Sequence, residues 1–413
     1  MARYLFLTWP GAGNQPPAVG IAQVLVERGH TVIFAGYSNQ RPYFTTRDFR
    51  FVLLESAAAG WRELPPESMF AVKLNSVWAA AEHLRDVPRL LRAERPDVLV
   101  VDCLMFGALA FLEGAELPTF VLVHSAPGAL LPPGGSFETV LIEKVNRLRV
   151  AARRSPLRTL WEAWERFPSL CTSVRELDPL ATAAPVSFDY VGPIFERAPS
   201  HRPLPWDTGD CRPLVLVSFS TGPYWDQRSR IDRTLRGLAE GPCQILVTSG
   251  GTDVSGIAVP SNARLVRDFP HSLVLPHAAA TVTHAGHGTV AFSLLHGVPL
   301  VCLPNPAADQ PALAARVEAL GVGHALDGET ADPAEINVAV NDVIHDSRYA
   351  ANARSVAATI AGSKGSTAAA DRLENIVRPK HPAAHEATMQ GSSRSSWWTA
   401  DSGAKRPQFR PQG

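Results

Sequence analysis

The chain is short of cysteine, of net charge and of long apolar runs, and each shortage excludes something. Its five cysteines, Cys103, Cys171, Cys211, Cys243 and Cys302, are scattered and form no C-x-x-C pair. Neither a disulfide framework nor a zinc ribbon is written here, and reduced, mostly buried thiols of a cytoplasmic protein are expected. Lys plus Arg number 39 and Asp plus Glu 39, for a formal net charge of +0. That balance gives no global reason to bind nucleic acid or an anionic membrane. The N-terminal apolar run, Tyr4 to Trp9, stops at Pro10. It is too short for a signal-peptide core or a membrane span, and no run of about 20 apolar residues follows elsewhere. Hydrophobic residues make up 46% and charged residues 19% of the 413. A large packed core is therefore affordable, and the length suggests two or three domains.

What is present is a repeated strand–helix alternation. Residues 3–9 read as a buried strand, 10–17 as a Pro/Gly loop, 18–28 as a helix stopped by Gly29, and 31–35 as the next strand. This start implies a parallel sheet with right-handed crossovers. Residues 51–55 could be a third strand. Residues 96–102 read as a central strand ending in the carboxylate of Asp102, and 118–123 as another, ending at His124 and Ser125. Trp61, Met69 and Trp78 are available to line an apolar cleft, and Trp161 and Trp164 lie three apart on one helical face. Core packing accounts for these tryptophans equally well.

A stretch rich in Pro and charge, 196–213, reads as a linker. A second strand–helix series follows, with strands at 214–218, 244–248 and 264–266. The expected architecture is α/β, with two doubly wound, Rossmann-like domains facing across a cleft: 1–195, and 214–378 after the linker. From 379 to 413 the composition is that of a disordered tail.

The richest stretch runs from Ala280 to Leu326. A buried strand, 280–283, leads into a small-residue turn, His284-Ala285-Gly286-His287-Gly288-Thr289, and then a helix from Val290. The glycines let backbone N–H groups approach an anion, and the helix adds the positive end of its dipole. His284 and His287 add imidazoles, and Thr289 a hydroxyl. A second strand, 299–303, ends in a polar turn with Asp309-Gln310 before the next helix. A carboxylate beside a carboxamide can both accept from and donate to sugar hydroxyls. Both turns lie at carboxyl ends of strands, where such sheets bind ligands. A diphosphate at one and a sugar at the other describe a nucleotide-sugar. An ordinary βαβ unit would explain the glycines, but not the paired histidines with the Asp-Gln turn.

The stretch resembles the donor-binding signature of the family 1 nucleotide-sugar glycosyltransferases, in their bacterial natural-product-tailoring branch. That signature runs T-H-x-G-x-G-T, G-V-P, P, D-Q, A-x-R-V and G-x-G. It is matched here at 283–289, 297–299, 304, 309–310, 315–317 and 321–323. The resemblance covers about residues 1–378, more loosely in the first half, and implies the GT-B fold. It further implies that Ser220 and Thr221 reach a phosphate and that Phe269 and Pro270 cradle the nucleotide base. His284 would contact the pyrophosphate, Gly286, Gly288 and Thr289 form the phosphate turn, and Asp309 and Gln310 bind the sugar. The tryptophan-bearing segments of the first half would line the acceptor pocket, and the last helix would cross back to the first domain. The implied activity is inverting sugar transfer from UDP or dTDP to a small natural-product acceptor. No cofactor beyond the nucleotide-sugar co-substrate and no metal is implied, and a homodimer is compatible.

One position departs. The family's first loop reads roughly G-H-x-x-P, and its His is the general base; here the loop is Gly13-Asn14-Gln15-Pro16-Pro17. An amide is not a useful proton acceptor. Three explanations stand side by side. Another group acts as base, Asp102 or His124. Alternatively the acceptor ionises easily or is unusual, so that O-, N- and C-linkage all stay open and Asn14 orients it. Or the chain is an inactive or helper homologue that binds a nucleotide-sugar or a partner transferase. A nucleotide-sugar epimerase or another GT-B enzyme is the rival enzyme reading, and a helix N-cap is the structural alternative for Asn14.

Overall fold

The structure is a computed structural model describing residues 1–62, 66–197, 202–206, 209–219 and 227–377. Ser220, Thr221, parts of the linker and the 379–413 tail lie outside the described residues. Two parallel sheets organise the chain. The first comprises β1 (Arg3–Leu7), β2 (Thr31–Gly36), β3 (Arg50–Leu53), β4 (Val98–Asp102), β5 (Thr119–Val123), β6 (Ser169–Cys171) and β7 (Phe188–Tyr190). The second comprises β8 (Leu214–Ser218), β9 (Gln244–Thr248), β10 (Ala263–Val266), β11 (Ala278–Thr283), β12 (Leu300–Cys302) and β13 (Gly323–Ala325). Their orders are β3-β2-β1-β4-β5-β6-β7 and β10-β9-β8-β11-β12-β13. Both are doubly wound. Helices cover both faces, so central strands such as 98–102 and 214–218 are buried at every residue and read as unbroken apolar runs.

Strand order fixes where a site can form. It reverses between β1 and β4 in the first sheet and between β8 and β11 in the second. Loops leaving the carboxyl ends of such neighbours diverge and open a crevice. These are the loops that carry Trp9 to Asn14, Asp102, and His284 to His287.

The final helix, Gly365–Val377, returns to the first sheet. Its Ala369, Ala370 and Leu373 sit in one core with Tyr4, Phe6, Ile21 and Leu25. Its outer face is tied down by Arg28 to Asp371 at 2.8 Å and by His30 to Glu374 at 2.8 Å. His30 is thus a structural residue. Leu373 is fully buried. Leu373→Ala is expected to destabilise the fold by about 2–5 kcal/mol, read as a lowered denaturant midpoint.

The expected cleft-lining aromatics need correction. Trp61, Met69, Trp78, Trp161 and Trp164 all lie in the core above the first sheet. The rings of Trp161 and Trp164 pack on Phe188, and Trp164 Nε1 donates to the Cys103 carbonyl at 2.8 Å. Cys103, Cys171, Cys243 and Cys302 are buried, Cys211 is exposed, and all are free. No helix among the described residues is long and apolar enough to cross a membrane.

Candidate active site

In the first half, the loop after β1 folds over the end of β4. The helix expected from Ala18 begins earlier, at Gln15, with Asn14 as its N-cap residue. The Asn14 side chain does not cap it. Its Nδ2 donates instead to the Trp9 carbonyl and to Asp102 Oδ2, both at 3.0 Å. Asp102 Oδ1 accepts from Trp9 Nε1 at 2.9 Å and from the Leu104 N–H at 3.0 Å. His124 Nδ1 lies 3.0 Å from Asp102 Oδ2. Each carboxylate oxygen is therefore engaged twice, and Asp102 is only 2% exposed.

The electrostatics follow from this arrangement. Burial pushes the Asp102 carboxyl up, but the His124 imidazole, the Leu104 N–H and the Asn14 amide outweigh it, and the net shift is downward. Burial pushes His124 down, but Asp102 and Cys103 outweigh it and hold it well above the ordinary histidine value. With Nδ1 turned to Asp102, Nε2 is the ring atom left for a substrate proton. Asp102, Cys103 and His124 also bring ligand-type atoms within 4.8 Å of one another. Such a donor set suits zinc, but here the carboxylate is already saturated by N–H donors, which a metal would have to displace.

In the second half, the helix expected from Val290 begins at His287, with Gly286 as N-cap. The expected turn is thus a helix N-terminus, with His287, Gly288 and Thr289 in its first turn. The left-handed residue is Ala285, at φ 64°, and not either glycine. Gly286 is required for another reason. A Cβ there would lie 2.5 Å from His284 Nε2, whereas one on Gly288 would meet nothing within 4 Å. His284 Nδ1 and His287 Nε2 are buried and have no hydrogen-bond partner among the described residues. Burial, with the Arg230 cation adding to it, lowers His284 to about 4. Burial, with His124 adding to it, lowers His287 to about 3. Both rings are neutral at physiological pH, and the His284 ring also donates to the Ser218 backbone, which opposes its downward shift.

The two halves meet at Asp309, the N-cap residue of the helix Gln310–Ala319. Its carboxylate accepts from Ser125 Oγ at 2.6 Å and from the His287 backbone N–H. The same helix packs Leu313 on Ala126 and Ala129, and Arg316 Nε donates to the Glu176 carbonyl at 2.7 Å. Among the expected sugar ligands, Gln310 is committed inward, its Oε1 accepting from the Asn305 N–H at 3.0 Å and from Asn305 Nδ2 at 2.7 Å. Phe269 is also turned inward. It packs near Trp206 and under Arg202, which leaves its backbone and that of Pro270 for a base.

Three participants escape a reading of motifs. Trp9 and Ser125 stand at strand ends beside residues already singled out, and that position was the available signal. Arg230, 5% exposed on the helix Gln227–Leu238 and close enough to depress His284, gave none. Alanines at positive φ are likewise invisible in sequence. Ala12, Ala285 and Ala308 (φ 60°, 64° and 58°) each stand in a site loop, at about 1–2 kcal/mol of strain apiece.

Comparison with known proteins agrees with this geometry. The family described as erythromycin biosynthesis protein CIII-like, C-terminal domain, matches residues 233–376. The 4'-demethylrebeccamycin synthase of Lentzea aerocolonigenes is 28% identical, over 91% of this chain and 100% of that protein. The demethyllactenocin mycarosyltransferase of Streptomyces fradiae is 27% identical, over 92% and 87%. Among solved structures, the kitacinnamycin glycosyltransferase superposes with TM-score 0.75 at 22% identity, covering 91% of this chain and 98% of that one. The calicheamicin glycosyltransferase CalG4 gives 0.70 at 22%, covering 92% and 100%. Motifs, fold and likeness together make the chain a sugar-transferring enzyme with the GT-B fold, similar to glycosyltransferases of natural-product biosynthesis.

Proposed function

We propose that the chain is an inverting, metal-independent glycosyltransferase that moves a sugar from UDP or dTDP to a hydroxyl of a small natural-product acceptor. The names of the relatives support the acceptor class, and a structural neighbour solved with dTDP supports the donor class. The observation that carries the reading is the contact between halves. The Asp102–His124 pair lies on one side, and His287 and Asp309 lie directly opposite.

In this reading the missing histidine is replaced from a neighbouring strand. The usual imidazole would stand at position 14, and here Asp102 orients His124 from the end of β5 instead. Asp102 is a positioning residue, since its oxygens are filled. Asn14 and Trp9 hold that carboxylate in place. The acceptor oxygen attacks the anomeric carbon as His124 Nε2 takes its proton, and the bond to the diphosphate breaks. The leaving diphosphate is met by the N-terminus of the helix His287–Leu295 and by the neutral imidazoles of His284 and His287, which supply the stabilisation a metal would otherwise give. Asp309 takes the sugar after exchanging its Ser125 contact for sugar hydroxyls. Asn14 alone would favour a helper protein, but an intact acid–imidazole pair facing the donor side favours catalysis.

Calorimetry with UDP-glucose and dTDP-glucose, followed by nucleotide release in the presence of phenolic acceptors, tests the reading. Absence of heat with every sugar nucleotide tried would sink it. His284→Ala is expected to weaken donor binding about 10- to 100-fold, the loss of one hydrogen bond to a charged group, with kcat at saturating donor much less affected.

A further inference from the structure

Both residues expected to hold the sugar are already engaged within the protein. Gln310 is turned onto Asn305, and Asp309 Oδ2 accepts from Ser125 Oγ at 2.6 Å. The second contact crosses from one half to the other. Ser125 follows His124 just past the end of β5 and is 1% exposed. Asp309 is the N-cap residue of the helix Gln310–Ala319, yet its side chain makes no capping bond to that helix. The carboxylate is turned to the other half instead. Two groups at hydrogen-bond distance leave no room for a sugar ring between them.

The contact is one point of a continuous seam. Asp309, Leu313 and Arg316 are spaced four and three apart and share one face of their helix. Leu313 packs on Ala126 and Ala129, and Arg316 Nε donates to the Glu176 carbonyl at 2.7 Å, so that face is docked on the first half. Burial raises the Asp309 carboxyl, and the Ser125 hydroxyl and the His124 imidazole oppose the rise. Without Ser125 the carboxylate would stay in the seam with one donor fewer. That destabilises the shut form and favours one in which sugar hydroxyls reach the carboxylate. A pivot for opening is present as well. Ile194 belongs to the core that holds Tyr4 and Ile21, whereas Phe195, next in the chain, stacks on Phe292 of the second half at 4.2 Å. The returning chain passes at the same place, with Gly192 (φ 95°) against Ser363 and Gly365 against the Pro193 carbonyl. Rotation there would part Ser125 from Asp309 and leave both cores intact.

We propose that the Ser125–Asp309 hydrogen bond is an autoinhibitory latch. It shuts the sugar subsite of the unliganded protein, so that a bare nucleoside diphosphate binds without disturbing it and a nucleotide-sugar binds only by breaking it. This rests on the reading above that Asp309 takes the donor sugar.

UDP with UDP-glucose, and dTDP with dTDP-glucose, are titrated calorimetrically against the whole protein. Ser125→Ala is expected to tighten the sugar nucleotides about 10- to 100-fold, the strength of one hydrogen bond to a charged group. UDP and dTDP should stay within about twofold of wild type. Leu313→Ala loosens the same seam without touching either polar group, and should shift the sugar nucleotides in the same direction by less. Weaker sugar-nucleotide binding in Ser125→Ala would make the hydroxyl a sugar ligand and overturn the latch. Unchanged binding, or an equal gain for the bare nucleotides, overturns it too. Should Ser125→Ala fail to fold, the absence of a selective gain in Leu313→Ala decides against the latch. No heat from any of the four nucleotides in wild-type protein sinks the donor reading and the latch with it. Normal wild-type binding without a selective gain in the variants sinks the latch alone.

Discussion

Replacing His124 with alanine lowers kcat by about 10²- to 10⁴-fold while donor affinity stays within about twofold of wild type. The size follows from what is removed. Asn14 stands where the resembling family carries its base, and both oxygens of Asp102 are engaged, so His124 Nε2 is the proton acceptor on the acceptor side that this mechanism uses. The pH dependence gives a second readout. His124 is held well above 6.5 by Asp102 and Cys103 against the opposing effect of burial. A raised value favours the imidazolium, so the base form populates only as pH rises, and kcat for a neutral hydroxyl acceptor climbs along a limb displaced above 6.5. Asp102→Asn removes the charge that supports the imidazolium. The limb then moves down, and kcat falls as well, because the ring loses the partner that fixes its tautomer. An acceptor already ionised as a phenolate needs no base and loses far less in either variant. Wild-type turnover of a neutral acceptor by His124→Ala would remove this histidine from the mechanism.

The fold is legible in the sequence because parallel strands covered on both faces must be continuous apolar runs. Runs such as 98–102 and 278–283 leave little choice of partner or direction. The residues proposed for the donor side could be singled out in the sequence because backbone approach, helix dipole and imidazole have to follow one another within a few positions of chain. The proposed acceptor side is assembled from separate strand ends. Nothing in the local sequence around His124 says that it will reach Asp102, since the two meet only because β4 and β5 are neighbours. The tryptophans mislead for a related reason. A large ring on a helix fills a core or lines a cleft with the same local pattern, and only the packing above the sheet assigns Trp161 and Trp164 to the first role. Glycine also misleads in detail. The strained backbone of the donor turn falls on Ala285, and the glycines on either side of His287 are there for space.

That distinction yields the second large effect, in the contrast between Gly288 and Gly286. A side chain at Gly288 enters open space at the N-terminus of the helix His287–Leu295, and the helix itself favours valine slightly over glycine. Gly288→Val should therefore keep or slightly raise the melting temperature. Its methyl groups would nonetheless stand where the diphosphate must come to reach the backbone N–H groups, and nucleotide-sugar affinity should fall about 100-fold or more as charge-assisted contacts are lost. Gly286→Ala behaves differently. Its Cβ lies 2.5 Å from His284 Nε2, so the imidazole must move, and both stability, by about 1–3 kcal/mol, and donor binding are lost together. Calorimetry with UDP-glucose and a thermal melt on each variant separate the two cases. Gly288→Val binding the donor like wild type would mean that the phosphates lie elsewhere. Loss of stability in that variant would mean that the space above Gly288 is filled by the protein's own chain.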